Sequence, residues 1–144
     1  MIEKDTVRLL RECDAGVKMG VESIDDVRDF VRDEALKDLL VTCKREHESL
    51  ASEIEKELDR FGDEGKDPNI FAEGMSKMKT EVKLRMNESD ATVACLMTDG
   101  CNMGVKSLSR YLNQYAAADE KSKDITKRLI KLEEKLAVDI RPWL

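Results

Sequence analysis

His47 is the one histidine of this sequence, and it carries more potential chemistry than any other residue. Cys43 stands four positions before it, so a helix would set thiol and imidazole one turn apart on the same face. Cys101, further along the chain, would add a second thiol from another helix. Two thiolates and an imidazole are donors that can hold a zinc, copper or iron ion. His47, Cys43 and Cys101 are therefore the candidate metal ligands, and the spacing offers no fourth. The competing reading is a buried neutral imidazole, hydrogen-bonded to a backbone carbonyl or a side chain. The sequence favours that reading, with no metal and no other cofactor. A phosphotransfer histidine would be exposed and followed by Lys-Gly, whereas Glu48-Ser49-Leu50 follows here. There is no Gly-rich phosphate loop, no G-x-S-x-G and no Ser-His-Asp arrangement. No catalytic residue is expected.

The remaining cysteines are Cys13 and Cys95. No two of the four show C-x-x-C spacing, and Met1 to Asp5 lacks the basic and apolar segments of a secretory signal. All four are read as free buried thiols in a cytoplasmic protein. No apolar run approaches the roughly 18–20 residues of a membrane span. Lys and Arg number 25 against 31 Asp and Glu, a net charge of −6. That balance argues against a nucleic-acid partner, because phosphate contacts need an excess of cations.

The elements that would position His47 are helices. The 144 residues suit one domain, 1–144, and the single Trp, two Tyr and three Phe disfavour an all-β core. Proline occurs at Pro68 and Pro142 only, so long helices are permitted on both sides of Pro68. Apolar residues and one glycine step by threes and fours: Leu10, Cys13, Val17, Gly20, Ile24, Val27 and Val31; Leu36, Leu40, Cys43, His47, Leu50, Ile54 and Leu58. Ala94, Met97, Cys101, Gly104 and Leu108 do the same, as do Ile125, Leu129, Leu132, Leu136 and Ile140. The spacing predicts four amphipathic helices at about 5–32, 34–60, 89–116 and 120–140, an all-α four-helix bundle. Ser89 or Asn87 is the expected N-cap of the third. Short links make the first and second helices, and the third and fourth, antiparallel neighbours. The middle link is long and polar from Phe61 to Pro68. Phe71, Met75, Met78, Val82 and Met86 then return to helical spacing, which predicts a short helix inside a crossover.

Two further patterns stand out. Gly16-x-x-x-Gly20 and Gly100-x-x-x-Gly104 place glycines inside helices, at about 1 kcal/mol each relative to alanine. They imply close helix approach, or else a pocket beside His47. Lys123, Lys127, Lys131 and Lys135 recur every fourth residue and are read as a solvated face.

The segment Leu96-Met97-Thr98-Asp99-Gly100-Cys101-Asn102-Met103-Gly104-Val105-Lys106-Ser107-Leu108 resembles small bacterial proteins of the ferritin-like superfamily. Tyr111-Leu112-Asn113-Gln114-Tyr115 and the stretch from Leu132 to Pro142 share the resemblance. It implies a ferritin-like bundle and an ancestral di-iron site. Such a site takes a Glu from each of two helices and Glu-x-x-His from each of the other two. Here Lys44 stands three before His47, and Gly20 replaces the first-helix Glu. Cys101 or Gly104 replaces the third-helix Glu. On the fourth helix Glu133 and Glu134 lie near the height of His47, but there is no His, and Leu136 and Ala137 stand in the two possible places. The sequence therefore points to a non-enzymatic association protein, a homodimer, that has lost its di-iron site. The alternative is a relic that still binds metal or senses redox state through His47 and the core cysteines.

Overall fold

The computed structural model describes residues 2–67 and 89–144. Four helices make up almost all of them: α1 (Ile2–Arg28), α2 (Glu34–Arg60), α3 (Asp90–Gln114) and α4 (Glu120–Asp139). A single 3-10 turn, Arg141–Trp143, follows, and there is no strand among the described residues. The expected helix through Phe71, Met75, Met78, Val82 and Met86 lies outside the described residues.

Three helices start where a side chain can accept a free amide. Asp33 accepts from Leu36 N, Ser89 from Thr92 N and Asp119 from Ser122 N. Each satisfies a donor that the first turn leaves without a partner. The apolar stripe of α2 is buried in full, from Leu36 through His47 to Leu58.

The first link is longer than its sequence suggests. α1 ends at Arg28, and Phe30 N and Val31 N bond back to Val27 and Arg28 carbonyls in a tightened turn. Unwinding there lets the adjacent residues Phe30 and Val31 both pack on the core. One helix face could not seat two consecutive side chains.

Two apolar clusters fix the helix directions. The upper one joins Ile24 and Val27 of α1, Leu36 and Leu40 of α2, Val93 and Met97 of α3, and Leu136 of α4. The lower one joins Leu10, Cys13, Leu50, Ile54, Leu108, Ile125 and Leu129. The end of α1, the start of α2, the start of α3 and the end of α4 thus meet at the upper end. So α1 and α4 point one way, and α2 and α3 the other. α1 packs against all three other helices, whereas α2 and α3 barely touch. A Cβ on Gly16 would lie 3.7 Å from Leu129 of α4, which is ordinary contact, so the glycine lets this diagonal pair close up.

The middle connection leaves α2 at the lower end and rejoins α3 at the upper end. Its described part is tied along α1. Asp63 pairs with Arg11, Lys66 Nζ with Glu12, and Lys18 with both Asp14 and Asp67. Asp14 also accepts the Lys66 amide. Gly62 and Gly65 adopt φ of 66° and 88°, a left-handed backbone that favours glycine. At the upper end the Asp90 carboxylate accepts the amides of Arg32 and Asp33. At the lower end Asp5 and Thr6 accept those of Ala117 and Asp119.

Candidate functional site

Between the two apolar clusters lies a thin polar layer. α2 supplies His47, which is 1% exposed, and α4 supplies Glu133. His47 sits in the buried stripe of α2 at helical spacing, so the fold carries it inward with the leucines. Its Nε2 lies 2.8 Å from Glu133 Oε1, and its Nδ1 lies 2.8 Å from the Cys43 carbonyl oxygen. Cys43 Sγ is 3.5 Å from the same Nδ1. The Cys43 carbonyl can only accept, so Nδ1 donates, and an acid at Nε2 suits a ring that donates from both nitrogens, an imidazolium. Burial opposes that charge. The hydrogen bonds to Cys43 and Glu133, and the charges beside them, outweigh it and raise the pKa to about 10. The expected burial and the bond to a backbone carbonyl are present; the expectation of a neutral ring meets an acid across the core that favours the charged form.

The glycines make room for this pair. A Cβ on Gly20 would fall 2.8 Å from His47 Cδ2 and 2.9 Å from Nε2. A Cβ on Gly104 would meet the Glu133 side chain at 3.5 Å. Gly20 and Gly104 thus lie at the height of His47, as helix rise suggests, and the space they free is filled by His47 and Glu133. Gly100 differs. It is exposed, with no heavy atom of the described residues within 4 Å of its Cβ position, so close helix approach does not explain it.

The cysteines part company. Cys43 and Cys101 are buried in the upper cluster, one beside His47 and the other beside Glu133. Burial pushes the Cys101 thiol well above its ordinary pKa, and the Glu133 charge adds to the effect. Cys13 lies in the lower cluster, 3.1 Å from Thr126 Oγ1, and burial lifts it to about 12. Such thiols stay protonated and are poor nucleophiles. All four are free, but Cys95 is exposed, against the expectation that all would be buried. It lies on the solvent side of α3, off the stripe that carries Ala94, Met97 and Cys101.

The structure therefore brings His47 to Cys43 and to Glu133. Among the described residues, no group of three or more His, Cys, Asp or Glu is arranged to hold a metal ion. Nδ1 of His47 is turned to its own helix backbone, and Nε2 is occupied by the acid. Sequence reasoning placed Glu133 and Glu134 near the height of His47 but paired neither with it, since Glu133 sits off the Leu129–Leu132–Leu136 stripe. The usable signal was the paired gap at Gly20 and Gly104, which marks where a large side chain must enter.

A buried acid, Glu57, lies on α2 with both oxygens paired at 2.7 Å, to Arg60 and to Lys121. It holds α2 to α4 near the lower end. No helix among the described residues is long and apolar enough to cross a membrane. No family model, curated protein or solved structure matches the chain.

Proposed function

We propose that this chain is a ferritin-like bundle that works by association, as a homodimer, and performs no catalysis. What supports the reading is the centre of the bundle. At the height where a ferritin-like bundle would hold two metal ions, His47 and Glu133 are bonded to each other. The residues there do not fit a di-metal centre. Gly20 and Gly104 bring no donor atom. Lys44 stands three before His47, and Leu136 three after Glu133. The helix directions, and a connection that passes from the lower end to the upper, agree with a one-crossover bundle. A ring bonded to one carboxylate, with the Cys101 thiol beside it held protonated by burial, is a structural core.

The test is the mass in solution. Light scattering should return twice 16.4 kDa. A monomer that also captures no partner would overturn the reading.

The position of Cys43 and Cys101 beside the pair favours one alternative, a relic metal or redox site. Elemental analysis of protein purified without chelator or affinity nickel decides it. Stoichiometric zinc, copper or iron that disappears in His47→Ala would replace the association reading. Absence of metal, with no change of mass on thiol oxidation, would retire the alternative.

A further inference from the structure

The long face between α2 and α4 lies away from α1, where the described part of the connection runs. Its groove encloses about 350 Å³ and is floored by Leu50 and Leu132. The two rims carry opposite charge. α2 contributes Glu46 and Glu53, and α4 contributes Arg128, Lys131 and Lys135. Arg128 and Glu53 clasp across the groove through two bonds of 2.8 and 2.7 Å. That clasp sets the heights. Glu46 lies two turns above Glu53, and Lys135 two turns above Arg128 on the antiparallel helix, so Glu46 is level with Lys135 and within a turn of Lys131. Among the described residues, Glu46 and Lys131 make no ion pair with each other or with any other residue.

We propose that this face binds a second copy of the chain, about a dyad parallel to the helices. The proposal rests on the association reading and names its surface. Such a dyad lays α2 of one copy over α4 of the other at the same height. Glu46 then faces Lys131 and Lys135 of the partner, twice over. The alternative in-plane dyad, perpendicular to the helices, lays α2 on α2 and α4 on α4. It sets acid against acid and Arg128, Lys131 and Lys135 against their own copies. Charge selects the parallel dyad.

The experiment reverses each rim. Lys131→Glu and Glu46→Lys are both made in the full chain, with helicity checked by circular dichroism. Either variant alone sets like charges opposite one another at two places, and its self-association should weaken at least tenfold. Mixed in equal amounts, one chain presents an acidic pair and the other a basic pair, so a heterodimer should form as tightly as the parent. Self-association that survives in both variants would overturn this face while leaving the association reading intact. A mixture that stays monomeric when the parent is dimeric would overturn it too. A monomeric parent chain would overturn this face, and one that also captures no partner would overturn the association reading with it.

Discussion

Gly20 gives up a side chain so that His47 can keep its own. The nearest atoms to its absent Cβ are the ring carbon and nitrogen that face Glu133. Alanine there gains about 1 kcal/mol of helix propensity. It must push the imidazole off its carboxylate, an overpacking cost of about 1–3 kcal/mol. Gly20→Ala should therefore destabilise in urea titration. Gly100→Ala, facing open space among the described residues, should stabilise by about 0.5–1 kcal/mol. Opposite signs for one substitution at two glycines would establish which of them makes room for the pair.

The pair itself predicts a cycle. His47→Leu or Glu133→Leu alone leaves a charge buried without its partner and should cost about 3–5 kcal/mol. The double variant should cost less than either. Its pH dependence has a definite sign. The folded pKa of His47 is raised, so its contribution is full below the unfolded value near 6.5 and is lost as pH rises through about 10. Urea midpoints measured at pH 6 and at pH 10.5 should fall in the parent chain. The same fall should be absent from the double variant, once the general effect of lysine titration is subtracted.

Caps and pins hold the helices at their ends. The Asp90 carboxylate accepts two amides of the α1–α2 turn from the first residue of α3. Asp90→Ala should cost about 1–2 kcal/mol, since both amides lose a charged acceptor. Amide exchange at Arg32 and Asp33 should quicken more than exchange in the middle of α2. Unchanged exchange there would show that water replaces the carboxylate at no loss.

At this scale much was legible. The stripe from Leu36 to Leu58 predicted α2 to the residue at both ends, because Asp33 caps it and nothing interrupts its period. Ser89 announced the start of α3 by the same chemistry. The end of α1 was less legible. Val27 and Val31 continue a helical period, and only packing on the other helices reveals that Phe30 must turn inward as well. The pairing of Glu133 with His47 was illegible for a related reason. Periodicity sorts residues into a face and its opposite, and a long acid beside the stripe can reach inward only where other helices leave a hole. That hole belongs to Gly20 and Gly104, on two other elements.

Across the whole molecule, the chain directions were readable from link lengths alone. Short links made antiparallel neighbours, and a 29-residue passage from Phe61 to Ser89 joins opposite ends of the bundle. The two clusters then divide the interior into apolar halves, with His47 and Glu133 between them. That division has a consequence for how one sequence selects one alignment. Apolar side chains repeat along every helix, so a helix slid by one turn, about 5.4 Å, would still bury apolar side chains against one another. It would also drive Glu133 into an apolar half and leave His47 facing a methyl group. The polar layer thus acts as an index mark, making every slipped arrangement costly while adding little stability itself. The His47→Leu, Glu133→Leu double variant should keep its helix content, yet its amide resonances should broaden and multiply as slipped bundles become populated. A single sharp set of resonances would show that the apolar side chains alone know their places.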